Sequence, residues 1–173
     1  MTADTSSIPV LPHLSSEFLV WLWWSSEVHE GHFKLGDRVG QITLWVDDRI
    51  AFRAPTEVRV TTVITGDNPS VALEARAALA GGKVVEELRI GLRRDERDFF
   101  ATVKGATLRL QGVKLPQVLE EGGEEVIYDR MHAYEELHLV LQSLFELYAG
   151  TRTSPEWQED VLPAIQRWAS GLA

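Results

Sequence analysis

From Lys83 the sequence adopts a two-residue period: Val84, Leu88, Ile90 and Leu92 fall on one face, Lys83, Glu87, Arg89 and Arg93 on the other. Successive side chains of a strand point to opposite faces, so this alternation describes a strand with one dry side and one wet side. Arg94-Asp95-Glu96-Arg97 turns the chain, and residues 99–103 and 107–115 continue the extended pattern, parted at Lys104-Gly105. The whole block therefore folds as an antiparallel meander with one solvated face. A helix over 71–80, rich in Ala and Leu, stands before it and stops at Gly81-Gly82.

Charge sharpens the significance of this block. Residues 83–114 hold eight Lys/Arg against five Asp/Glu, although the chain of 173 residues has a net charge of −9. Residues 1–82 and 115–173 are both acidic. Arg89, Arg93, Arg94, Arg97, Lys104, Arg109 and Lys114 partly share the wet side of the meander, and guanidinium groups on a rigid sheet suit phosphate contacts. Asp95, Glu96 and Asp98 interleave with them, as they would on a solvated, edge-protecting surface. Both readings stand at this level.

Elsewhere the pattern is helical or turn-rich. Ser15-Ser16-Glu17 followed by Phe18, Leu19, Trp21, Leu22 and Trp23 predicts a capped helix over 16–27. It is apolar nearly all round, so it belongs between layers. Trp21, Trp23 and Trp24 cannot share one stripe; they anchor a core or form an aromatic ligand or partner surface. Strands are expected over 41–46 and 50–53 around a hairpin turn at Asp47-Asp48-Arg49, and over 57–65 up to Gly66-Asp67-Asn68-Pro69. Helices follow over 128–148, with Leu137, Leu141, Leu144 and Phe145, and over 155–170, with Trp157, Val161, Ile165 and Trp168 at helical spacing.

The expected class is α+β: a twisted antiparallel sheet with the tryptophan helix and the long C-terminal helices packed against it. Residues 1–13 read as a flexible arm without the features of a signal peptide, 14–150 as the α+β domain, and 151–173 as a helical appendage. The acidic run Glu120-Glu121-Gly122-Gly123-Glu124-Glu125 reads as a joint.

Chemistry is sparse. With no cysteine, thiol nucleophiles and cysteine-ligated zinc are excluded, and a reducing cytoplasm is the expected setting. No apolar run is long enough for a membrane span. Gly31 interrupts the His29/His32 pair, and His132 and His138 lie six apart with Glu135-Glu136 between them, so neither pair forms a metal motif. Asp47-Asp48 would point to opposite faces of a strand. No phosphate loop or nucleophile elbow is present, and neither enzyme nor cofactor is expected.

The order of these elements resembles the C-terminal half of the recombination-associated protein RdgC family. The resemblance is carried by residues 70–113: Leu73-Glu74-Ala75, Gly82-Lys83-Val84-Val85, Leu88, Leu92, Arg97, Phe100 and Leu108-Arg109-Leu110. It extends back through Phe18-Leu19-Val20-Trp21 and Ser25-Ser26-Glu27, and forward through Asp129-Arg130 to Leu147 and Gly150. It implies a non-enzymatic, oligomeric protein that binds double-stranded DNA without sequence preference, through Lys83, Arg97 and Arg109 first. The alternative is an acidic protein-interaction module on the same scaffold, docking a partner through Trp157, Val161, Ile165 and Trp168.

Overall fold

The computed structural model describes residues 14–117 and 123–171. The N-terminal arm and residues 120–122 of the acidic joint fall outside them. The chain runs α1 (Leu14–Val28), β1 (His32–Leu35), a single turn α2 (Gly36–Val39), β2 (Gly40–Arg53), β3 (Thr62–Thr65), α3 (Leu73–Ala80), β4 (Val84–Arg94), β5 (Arg97–Lys104), β6 (Leu110–Lys114), α4 (Glu124–Arg152) and α5 (Leu162–Ser170). The fold is α+β. All strand pairs are antiparallel, in the order β1-β2-β4-β5-β6, with β3 on β2 as well.

One face of the sheet is dry. Leu44, Ile50 and Phe52 of β2, Leu88, Ile90 and Leu92 of β4, and Phe99 and Val103 of β5 share one buried core with α1 there. Every residue of α1 from Phe18 to Trp24 is buried, as expected of a helix apolar on all sides. Trp23 touches Phe52 of the sheet and Trp168 of α5, while Trp21 touches Phe33 of β1 and Tyr148 of α4. The tryptophans thus tie three layers together: sheet, α1, and the C-terminal helices.

Three sequence expectations change. Asp47-Asp48-Arg49 is not a hairpin turn, because β2 runs through it as one strand. Between the Val46–Ile90 and Ile50–Leu88 pairs β2 advances four residues while β4 advances two, which makes a bulge. No residue there has the positive φ that a two-residue hairpin turn uses. Such a turn does occur at Asp95-Glu96 (φ 48° and 62°), where the sequence placed it. The strand expected over 57–65 shortens to Thr62–Thr65; the loop before it exposes Val58. A second irregularity near Glu86 shifts the phase of β4, so that Val85 rather than Val84 lies opposite Phe52, although both are buried.

Residues 155–170 also depart from the appendage they suggested. Trp157, Val161 and Ile165 are buried in the same core, Trp157 against Tyr148 at 5.8 Å. Pro163 sits inside this helical stretch without breaking it. Its ring would collide with the carbonyl of Glu159 in a regular α-helix. The preceding turn, Trp157–Val161, is instead a π-helical turn, with the Leu162 N–H donating to the Trp157 carbonyl five residues back.

Candidate interaction site

The hairpin cations come together on β4 and β5, but they do not stand free. Arg89 is only 12% exposed: its Nε lies 3.2 Å from Asp47 and 3.4 Å from Asp48, and its Nη1 donates to Thr102 and the Gly112 carbonyl. The β2 bulge thus serves to bring two carboxylates to one guanidinium. Arg93 holds Asp98 through two bonds of 2.6 and 2.8 Å. The Arg93 hydrogen bond keeps the Asp98 carboxyl below its ordinary value. Arg94 and Arg97 converge on Glu136 of α4 at 3.2 and 2.6 Å.

Lys104 and Arg49 share Glu87. Burial alone would raise the Glu87 pKa, but these two cations outweigh it and hold the carboxyl below its usual range. Lys83 donates to the Thr62 hydroxyl. Arg109 is exposed, as is Lys114, and neither has an ion-pair partner among the described residues. The positive block of the sequence is therefore largely neutralised in space, by acidic residues of its own strands and by residues reaching in from β2 and α4.

The solvent-facing side of the sheet retains one further feature. Trp45, Gly91, Phe100 and Lys114 form a cross-strand row, and Trp45 meets Phe100 edge to face at 5.9 Å. A Cβ on residue 91 would come within 2.1 Å of the Trp45 ring, so glycine is what lets the indole lie on the strand.

The C-terminal docking stripe expected from Trp157, Val161, Ile165 and Trp168 is used inside the molecule. The first three are core residues, and the partly buried Trp168 donates its indole N–H to Glu27 at 2.7 Å. An exposed apolar stripe lies on α4 instead. One stripe of α4, Ala133, Leu137, Val140, Leu144 and Tyr148, faces the core. A second stripe, Ile127, Met131, Tyr134, His138, Leu141 and Phe145, repeats at alternating spacings of four and three residues. Its N-terminal half is open: Ile127 is 61%, Met131 54% and Tyr134 42% exposed.

This second stripe overlooks β6, an edge strand of the sheet. Between them lie two clefts, one of about 530 Å³ beside Leu115, Met131 and Tyr134, and one of about 260 Å³ floored by Phe18, Val103 and Leu110. Exposed Glu124, Glu135 and Glu146 follow the solvent side of the stripe. The four-three spacing was present in the sequence, but the core stripe beside it has nearly the same period and the same residue types. Among the described residues no three His, Asp or Glu side chains are placed to hold a metal ion. The Nδ1 of His138 meets the Tyr134 carbonyl at 3.1 Å, and His132 lies beside Glu135. Among the described residues no helix is long and apolar enough to cross a membrane.

No protein-family model, no curated protein and no solved structure shows significant similarity to this chain.

Proposed function

We propose that this protein is a non-enzymatic interaction module that docks an amphipathic helix of a partner protein along the second stripe of α4. The observation that carries this reading is the stripe itself: six residues at coiled-coil spacing, apolar but for His138, four of them open to solvent. Burying Ile127, Met131 and Tyr134 under a partner supplies about 1.5–3 kcal/mol for each side chain. The glutamates along the stripe favour a partner with Lys or Arg flanking its apolar seam. The test is fluorescence anisotropy with a designed three-heptad peptide, Leu at its seam and Lys beside it, against an analogue with Glu beside the seam. The Lys peptide is expected to bind at least about tenfold more tightly, and Met131→Glu to weaken it by a similar factor, about 1.4 kcal/mol. Equal binding of both peptides by wild type and Met131→Glu would overturn the reading.

A second reading, sequence-independent binding of double-stranded DNA, is favoured by the open sheet face and by the resemblance to the RdgC family. Arg93, Arg109 and Lys114 are its best remaining phosphate contacts, because Arg89, Arg94 and Arg97 are held by carboxylates on neighbouring elements. Three such contacts predict an affinity loss of about 40-fold between roughly 50 and 200 mM salt. A random-sequence duplex that stays unbound at the lower salt excludes it. Binding unchanged by Arg93→Glu with Lys114→Glu would place the DNA elsewhere.

A further inference from the structure

Glu57 to Thr65 carries nine residues of strand pattern, yet only Thr62–Thr65 is paired, along one side, with β2. Among the described residues no strand pairs with the other side of β3. Gly66 donates its N–H to the Asp48 carbonyl at 3.1 Å, one step beyond the Arg49–Thr65 pair. Bonded pairs alternate along an antiparallel ladder, so Thr62 and Ile64 bond to β2 while Val63 and Thr65 turn their N–H and C=O groups outward. Native sheets commonly protect such an edge with a lysine or a proline. β3 contains neither, and Val63 is 43% exposed.

The surroundings of this edge are apolar. Val58 and Val60 before β3, Val63 within it, and Val71 and Leu73 beyond the following turn are all open to solvent. They make up five of the eleven large apolar side chains exposed among the described residues, a second concentration besides that on α4. Arg59 and Asp67 stand on either side of the strand, both exposed and neither with an ion-pair partner among the described residues. The shortness of β3 is itself a safeguard against edge pairing, but it explains neither the valines nor these two unpaired charges.

We propose that β3 pairs antiparallel with β3 of a second copy of this chain, about a two-fold axis through Val63, so that one sheet runs through both molecules. An axis perpendicular to the sheet keeps the two dry faces on the same side, and each side chain must then oppose one on its own face. The register centred on Val63 meets this condition. It sets Val63 against its own copy, Thr65 against Thr61 of the second copy, and Arg59 against Asp67 of the second copy, the last two twice over by symmetry. Valine pairs, threonine pairs and opposite charges are each favourable across adjacent strands. Moving the centre to Thr62 or Ile64 loses the opposition of Arg59 and Asp67, so charge selects the register. The pairing uses no residue of α4 and is independent of what docks there.

The test is sedimentation equilibrium of the full chain from about 1 to about 500 µM. A reversible monomer–dimer equilibrium is expected, with Kd in the micromolar range because two short strands make a small interface. Val63→Lys, which sets two ammonium groups face to face across the axis, is expected to weaken it about tenfold. Arg59→Asp and Asp67→Arg each place like charges opposite each other at two symmetric positions and are expected to weaken it about fivefold. The double exchange, Arg59→Asp with Asp67→Arg, restores the attraction and is expected to return Kd to within about twofold of wild type. These positions are all exposed, and circular dichroism with thermal unfolding checks that each variant folds as wild type does. Met131→Glu on α4 is expected to leave the dimer unchanged, which separates this contact from partner docking on that helix. A monomer up to about 500 µM, a dimer that tolerates Val63→Lys, a double exchange no tighter than the single ones, or dissociation by Met131→Glu would overturn the inference.

Discussion

Replacing Glu17 by alanine is expected to cost about 3–5 kcal/mol of stability, read as a lower urea midpoint at unchanged m-value. Glu17 enters the structure at the first turn of α1, and its buried carboxylate accepts from the Tyr148 hydroxyl and from Arg152 Nε, each at 2.5 Å. Those two donors lie near the end of α4, more than a hundred residues away in sequence, so the carboxylate clasps the last turns of α4 to the start of α1. Its removal leaves a guanidinium, only 29% exposed, without its counter-charge. Since a domain of this size is stable by about 5–15 kcal/mol in total, the loss is a large share. A change below about 1 kcal/mol would show that the clasp contributes no more than a surface ion pair.

The same contact sets an alkaline limit. Burial, reinforced by the Glu17 carboxylate, pushes the Tyr148 phenol far above its ordinary value. Above pH about 10 the unfolded chain releases this proton while the folded protein keeps it, so the native state binds more protons and stability falls as pH rises. Urea unfolding followed from pH 8 to pH 11 is expected to show a steeper decline for wild type than for Tyr148→Phe. Parallel declines would mean that the phenol titrates alike in both states.

Trp157→Ala is the second substitution with a large effect, about 3–5 kcal/mol and a broadened or lost thermal transition. Trp157 is 1% exposed, packs edge to face on Tyr148, and lies 5.1 Å beneath the Arg152 guanidinium. Truncation therefore opens a large hole between α4 and the helix that follows it. It also removes the ring over which Arg152 is held, so its effect should not simply add to that of Glu17→Ala. A docking tryptophan would behave differently, its loss weakening a complex and leaving the melting temperature nearly unchanged. Calorimetry of the isolated protein separates the two roles.

At the opposite end of α1, Glu27 repeats the clasp with other partners. It accepts from Trp23 on its own helix, from Arg76 of α3 at 2.7 Å and from Trp168 of α5. A helix that is apolar all round thus carries one carboxylate at each end, and each fastens a different element to it. Burial of Phe18 to Trp24 gives the core its bulk; the glutamates decide which helices pack there and at what register along α1.

What the residues alone determined was local. The alternation of β4, the turn at Asp95-Glu96, the helix stop at Gly81-Gly82 and the all-round apolar character of α1 each depend on neighbours within a few positions. Each was therefore legible before any packing was known. The continuity of β2 through Asp47-Asp48-Arg49 was not legible, because two adjacent aspartates belong in a strand only when an arginine from another strand lies against them. The hairpin cations raised the same difficulty: Glu136 neutralises Arg94 and Arg97 from about forty residues away, and no count of local charge contains that pairing. On α4 the two apolar stripes have nearly the same period, and only the placement of the sheet and α1 selected Leu137, Val140 and Leu144 for the core and left Ile127, Met131 and Tyr134 outside. Helical periodicity states which residues share a face; which face is covered follows from what the rest of the chain can bring against it.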